Sequence, residues 1–461
     1  MKNCERYPWL LSAVVVLTAC EGTSNPAPTA VALQADLVHA EAAPASAARR
    51  APVFKMSAAA NVGRELFFDK SLSASGKQAC ATCHDPGHAY GPPNGLAVQV
   101  GGPSGKALGT RAVPSLRYTE YTPAYADLLD NSDGIAEPAP GGGYTWDGRV
   151  DSLGEQAKIP LLSAVEMANK SAAEVVAKVR AAAYAPAFLA AFGPRALDDA
   201  DAALAKVQLA LQSFQTEDAS FHPYNSKFDR HEAKLVGGTF TNAEERGFQI
   251  FNDPEIGNCT SCHFPNPGVD GSRSMFTDFS FEVIGVPRNP EIPANRERGY
   301  VDMGICGPVR KDHPYVPGRP NQFCGMFKTP TLRNVATRHS FFHNGVIHSL
   351  EQAVRFYNTR DTRPELWYPT IGGTAKAKPD ADFPRYGLVT TQYVGGVVQK
   401  FDDLPALLRG NIDRQKPLDG RAVASAEPMT EDQLDDLLCF LETLTDDYEP
   451  GKTASAPRCQ N

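Results

Sequence analysis

Apolar residues recur at helical spacing in several separate stretches of this chain, whereas strand-like alternation is sparse. Over residues 61–68, Val62, Leu66 and Phe67 follow Asn61, a suitable N-cap, and predict a helix. Residues 171–192 and 198–214 are Ala- and Leu-rich with the same period and predict scaffold helices. Residues 241–251 open on Thr241 with Glu244 three positions on, a capping box in which each side chain satisfies a free backbone N–H of the other residue. Thr430 and Gln433 repeat the device ahead of Leu434, Leu437, Leu438 and Leu441, predicting a closing helix over 430–444. The expected fold is mainly α, with long loops and little β.

The pattern also repeats at larger scale. Gly247, Ile250 and Phe251 match Gly63, Leu66 and Phe67, and each segment leads through a loop into the same five-residue motif. The first copy is Cys80-Ala81-Thr82-Cys83-His84. The second, Cys259-Thr260-Ser261-Cys262-His263, begins eight residues after Phe251. Two thiols at this spacing each add to a vinyl group of one porphyrin, and the histidine that follows becomes the proximal iron ligand. One copy alone would compete with a zinc half-site. Two copies, with no further cysteine pair of zinc spacing between them, favour two covalently attached haem c groups. The chain is expected to be an internal duplication, with haem c domains at 56–220 and 221–449 and a tail at 450–461.

Composition narrows the setting. A length of 461 residues accommodates two or more domains, and Gly (38) and Pro (37) are abundant enough to expect many loops. The net charge of −8 is spread over both signs without a basic run, which argues against a nucleic-acid partner. Lys2 and Arg6 precede an apolar run over 9–17 that is too short to span a bilayer. It ends in Leu17-Thr18-Ala19-Cys20, which resembles the lipobox of bacterial lipoproteins and makes Cys20 the candidate lipidation site; ordinary signal cleavage near Ala19 is the alternative. Residues 1–20 are thus expected to be a signal peptide and 21–55, rich in Ala, Pro, Ser and Thr, a tether. The mature protein is expected to be exported, periplasm-facing and held to the outer membrane only through a lipid. Of ten cysteines, Cys4, Cys20 and the four motif thiols leave Cys306, Cys324, Cys439 and Cys459 as disulfide candidates. Three pairings are open, of which the local one joins Cys306 to Cys324 and Cys439 to Cys459.

Several further motifs, spread over 62–444, accompany the haem signals. They are Gly63-Arg64-Glu65-Leu66-Phe67-Phe68-Asp69, Leu72-Ser73, Trp146-Asp147-Gly148-Arg149 and Glu155-Gln156-Ala157. Pro160-Leu161-Leu162, Val165-Glu166-Met167 and Thr329-Pro330-Thr331-Leu332-Arg333-Asn334-Val335 follow. Phe342-His343-Asn344-Gly345 and Ser349-Leu350-Glu351-Gln352-Ala353-Val354 complete the set. Together they resemble the bacterial dihaem cytochrome c peroxidase and MauG family. The resemblance implies hydrogen peroxide as substrate, a peroxidatic haem on His84 and an electron-storing haem on His263. It also implies Gln156 and Glu166, ten and twenty residues after Trp146, as the distal pair, with Trp146 carrying electrons between the haems. The chemistry suits those residue types: a carboxylate moves a proton between the peroxide oxygens, and an amide stabilises the charge that separates.

Two positions divide the family. Its peroxidases place a removable histidine sixteen residues beyond the first proximal histidine, where this chain has Val100, and His88 is too near His84 to reach the opposite face. The first haem is therefore expected to be open in every redox state. The sixth ligand of the second haem is a methionine in the peroxidases and a tyrosine in the MauG branch; here the matching helix offers Tyr357, with a packed core aromatic as its plainer role. Other positions depart from the family. The turn that supplies a calcium ligand reads Arg111-Ala112-Val113-Pro114 without asparagine, so calcium keeps only backbone donors such as Arg338 and Ser340 and stays an open question. Gly257 stands where the MauG branch has the tryptophan that draws electrons from its partner, which leaves Trp367 as a weak candidate exit. The resemblance implies an enzyme that takes electrons from a donor protein or oxidises a partner protein, with a non-catalytic electron carrier as the rival.

Overall fold

The computed structural model describes residues 55–461 apart from 132, 133, 135, 136, 270, 298, 317–320, 373, 380–388, 395, 454 and 461. The expected signal peptide, Cys20 and nearly all of the tether lie outside the described residues.

Ten α-helices occur among the described residues: α1 (Ala58–Phe68), α2 (Cys80–Cys83), α3 (Leu153–Leu162), α4 (Ala172–Ala181), α5 (Ala185–Phe192), α6 (Ala200–Glu217), α7 (Lys227–Glu232), α8 (Asn242–Asn252), α9 (Leu350–Thr359) and α10 (Glu431–Glu442). Among the described residues strand is confined to five two-stranded antiparallel pairs, so the fold is mainly helical. One pair matters for the site: Phe281–Glu282 against Phe327–Lys328.

The duplication is visible in the packing. α1 lies across α6, and Gly63 permits the approach, because a Cβ there would sit 1.9 Å from the Ala210 carbonyl oxygen. α8 lies across α10 in the same way, with Gly247 at the crossing and a Cβ placed 2.0 Å from the Asp436 carbonyl oxygen. Both glycines are at the matched positions of the repeat. Leu66, Phe67, Leu204, Val207 and Phe214 build the first core, and Phe251, Phe276, Phe356, Leu437 and Phe440 the second. The capping boxes at Thr241/Glu244 and Thr430/Gln433 both form.

Two helix expectations need correction. α1 begins at Ala58, capped by Ser57 rather than Asn61, because the Ser57 hydroxyl accepts from the Ala60 N–H at 3.0 Å. The stretch 171–192 is two helices bent by 111°, with Pro186 in the first turn of α5, where its missing N–H costs nothing. Among the described residues no single helix is long and apolar enough to cross a membrane, and this bent pair buries Val175, Val176, Val179 and Phe188 in the first core. Disulfides join Cys306 to Cys324 and Cys439, on α10, to Cys459.

Candidate functional site

Each haem motif is a short helical turn that fixes two thiols and one imidazole at the edge of a cavity. Cys80 and Cys83 lie on α2, where the Thr82 hydroxyl accepts from the Ala79 N–H at 2.9 Å. His84 follows at the C-terminal cap, and its Nδ1 donates to the Tyr90 carbonyl at 3.0 Å. The second motif forms a 3₁₀ turn, Cys259–Ser261, and His263 Nδ1 donates to the Phe276 carbonyl at 3.0 Å. A carbonyl on Nδ1 fixes the tautomer and leaves the Nε2 lone pair for a metal. Desolvation disfavours the imidazolium and lowers both histidines to about 4, so both are neutral at physiological pH.

The four motif thiols are unpaired, whereas the other described cysteines are disulfide-bonded. Each pair opens on its own cavity, with mostly apolar walls. Lys328 and Arg338 border both cavities. Burial depresses Lys328 to about 7 and Arg338 to about 10, and the Arg338 Nε is buried without a hydrogen-bond partner. Buried cations of this kind call for carboxylates. Two thiols, a neutral imidazole, apolar walls and two buried cations, one with a free guanidinium nitrogen, together fit a porphyrin with its two propionates, at each of the two cavities.

Trp146 borders both cavities. Its indole Nε1–H donates to the Ala112 carbonyl at 2.8 Å, and its own carbonyl accepts from the Lys328 N–H at 2.9 Å. Behind it, Asp147 is fully buried. Burial would raise its carboxyl, but Arg111 and Arg149, each 2.7 Å away, outweigh burial and hold it below the usual range. Arg111 also grips both oxygens of Asp302, at 2.7 and 2.8 Å, tying the Trp146 turn to the C-terminal half.

Gln156, on α3, and Glu166, in the turn that follows α3, both line the first cavity with Val100. The turn is held against the Val100 strand: Gly102 donates to the Glu166 carbonyl at 2.7 Å, and a Cβ on Gly101 would lie 2.2 Å from the Val165 carbonyl oxygen. Glu166 is accessible from the cavity, yet the surrounding protein raises its carboxyl, an effect that Ser163 and Arg149 only partly offset. Among the described residues, His84 is the only histidine lining this cavity. His88 lies outside it, 3.2 Å from Asp85.

Tyr357, on α9, lines the second cavity with His263. Desolvation raises its phenol, an effect that Arg360 only partly offsets. The same cavity is lined by Met429 and His343, neither of which the sequence singled out as a candidate ligand. His343 stacks on Phe327 with ring centroids 3.4 Å apart, and its buried Nε2 lacks a hydrogen-bond partner 4.0 Å from Asp403. Met429 is fixed through its backbone by Asn358, and it lies 72 residues beyond Tyr357, where local spacing gives no hint of it. Trp367 packs on Phe356 and donates to the Thr359 hydroxyl at 2.9 Å, outside both cavities. Among the described residues no group of three or more His, Cys, Asp or Glu side chains is arranged to hold a metal ion.

Comparison with known proteins agrees with this geometry. The family described as di-haem cytochrome c peroxidase matches residues 57–235. The methylamine utilization protein MauG of Paracoccus denitrificans (strain Pd 1222) is 34% identical over 404 residues, covering 85% of this chain and 90% of that protein. The cytochrome c551 peroxidase of Nitrosomonas europaea is 28% identical over 300 residues, 64% of this chain and 71% of that protein. The crystal structure of the diheme peroxidase BthA from Burkholderia thailandensis E264 is 35% identical, with a TM-score of 0.71, covering 88% of this chain and 90% of that one. Two haem groups are implied by these relatives and match the two cavities. This chain belongs to the dihaem cytochrome c peroxidase and MauG family and is an oxidoreductase of that family.

Proposed function

We propose that this protein is an exported, lipid-anchored dihaem enzyme that reduces hydrogen peroxide at the His84 site with electrons relayed through Trp146 from the His263 site. Haem, attached through Cys80 and Cys83 and through Cys259 and Cys262, supplies the iron redox chemistry that no side chain of the chain provides. The protein does the rest. His84 and His263 would each hold an iron through Nε2.

Glu166 takes the proton from the inner peroxide oxygen and delivers it to the outer one, and its raised carboxyl suits a group that must both accept and give. The Gln156 amide donates to the oxygen on which charge develops. Val100, whose side chain has no donor atom, would leave the first iron without a second side-chain ligand at that position. Tyr357, as an oxygen ligand, would stabilise the oxidised state of the second site relative to a thioether. The combination of Val100 with Tyr357 supports MauG-like oxidation of a residue on a partner protein, and the single observation that carries it is a first cavity with no histidine but His84.

One observation favours a second reading. Met429 on the second cavity supplies the thioether that a scavenging peroxidase uses, with a small electron-donor protein as reductant. The two differ in what the oxidised protein does with peroxide. The first predicts that the fully ferric holoprotein reacts without prior reduction; a reaction that starts only after one electron has been added supports the scavenging peroxidase instead.

A further inference from the structure

An oxidising site buried in the fold needs a route to the surface, and Gly257 removes the tryptophan that its relatives' motif suggested. We propose that Tyr118 and Tyr224 form a proton-coupled electron path from the first cavity to the protein surface. The proposal rests on the first cavity being the peroxide site.

Tyr118 is buried and lines that cavity. Tyr224 is half-buried and packs edge-on against it, with ring centroids 4.8 Å apart. The Tyr224 backbone N–H donates to the Tyr118 hydroxyl at 3.0 Å, which locks the two rings together. Each phenol also has its own proton acceptor. Tyr118 donates to Asp446 Oδ1 at 2.6 Å, and Tyr224 donates to Glu120 Oε1 at 2.8 Å. A phenol is hard to oxidise if its proton stays, because the product is a cation. It becomes easy to oxidise when a carboxylate receives the proton in the same step. Buried tyrosines usually satisfy their hydroxyls on whatever is near; here two in contact both end on carboxylates, in a row that starts at the cavity.

Arg333 lies over both rings, 4.8 Å from Tyr118 and 4.7 Å from Tyr224. Arg273 also lies 4.4 Å over the Tyr224 ring, and cations there oppose removal of an electron. Asp229 holds Arg333 through both guanidinium nitrogens, at 3.0 and 2.9 Å, and offsets much of its charge.

The steps balance. Hydrogen peroxide, the oxidant, takes two electrons from the two sites, joined through Trp146, and two protons from solvent to give two waters; the path then works twice per turnover to refill the sites. In each passage Tyr118 gives one electron to the peroxide-oxidised site and its proton to Asp446, leaving a neutral phenoxyl. Tyr224 then gives an electron to Tyr118 and its own proton to Glu120, while Asp446 returns its proton to the Tyr118 oxygen. A one-electron donor docked at the surface refills Tyr224, and Glu120 returns the proton.

The test is freeze-quench electron paramagnetic resonance of the ferric holoprotein mixed with peroxide in the absence of donor, with the optical spectrum followed in parallel. Tyrosyl signal that narrows on incorporation of deuterated tyrosine is expected. It should fall at least tenfold in Tyr118→Phe, the first tyrosine of the path. Asp446→Asn, which keeps the side-chain shape and removes the proton acceptor, should slow its appearance and enlarge its solvent deuterium isotope effect. If the optical change is complete but the radical yield is the same in Tyr118→Phe, Tyr224→Phe and the unmodified protein, the path is wrong and the peroxide site stands. If peroxide leaves the optical spectrum unchanged, the peroxide site is wrong and the path falls with it.

Discussion

Trp146 donates its indole N–H to the carbonyl of Ala112 at 2.8 Å, and the Ala112 N–H in turn reaches the His343 carbonyl at 2.7 Å. The indole is therefore held by a backbone segment that itself lines both cavities. Trp146→Phe keeps an aromatic ring and loses the tether, at a cost of about 1 kcal/mol in stability. Stopped-flow absorbance of the half-reduced holoprotein should show the second haem reoxidised by peroxide more slowly, by roughly tenfold, since 1.4 kcal/mol of added barrier already has that effect. Reoxidation at the unaltered rate removes Trp146 from the relay.

As the proposed proton carrier, Glu166 should set the acid limb of the peroxide reaction. Its surroundings favour the neutral acid, so its carboxyl titrates above the ordinary carboxylate range. The base form is lost as pH falls through that raised value. The second-order rate constant with peroxide should thus decline on the acid side at a higher pH than an exposed carboxylate would give. Glu166→Gln should lower the plateau by about 10²-fold and abolish the acid limb. A pH–rate profile with the limb still present in the variant identifies a different base.

The helix crossings at Gly63 and Gly247 predict paired stability effects. Alanine at either position meets backbone, Ala210 or Asp436, that cannot rotate out of the way. Each substitution should cost about 1–3 kcal/mol. Gly410→Ala, where nothing lies within 4 Å of an added Cβ, is the control and should leave the thermal midpoint nearly unchanged. Equal midpoints for all three variants contradict the close-approach argument.

The Cys439–Cys459 disulfide closes a loop of 20 residues and ties the C-terminal segment to α10. Replacing both cysteines with serine should cost about 3 kcal/mol, mostly through the unfolded chain. Denaturant unfolding of the double variant measures it; a midpoint equal to that of the unmodified protein shows that α10 holds without the bond.

Tyr357→Phe should alter the low-spin signals of the second haem and leave those of the first in place. Met429→Leu should then be silent. The reverse result makes Met429 the sixth ligand and shifts the protein towards the scavenging peroxidases.

What the sequence revealed followed chain locality. The haem motifs, the two capping boxes and the matched glycines are local patterns, and the structure contains each of them. The bend between α4 and α5 was missed because the helical period runs on through it, although Pro186 marks the restart of the helix. The Tyr118–Asp446 bond spans 328 positions in the chain and Arg111–Asp302 spans 191; no spacing rule reports such pairs. Gln156, Glu166, Val100 and Trp146 were found through resemblance, and they meet at one cavity because α3, the turn after it and the Val100 strand pack together. Met429 and His343 were not found, since a core methionine and a buried histidine carry no local mark of a ligand.

The most direct measurement is the electron paramagnetic resonance spectrum of the resting, fully ferric holoprotein at neutral pH. A first site in which His84 would hold the iron, and in which no second described histidine lines the cavity, predicts one high-spin haem, together with one low-spin haem from the second site. Two low-spin haems, with no high-spin signal before or after reduction and reoxidation, contradict an open first site and with it the peroxide chemistry.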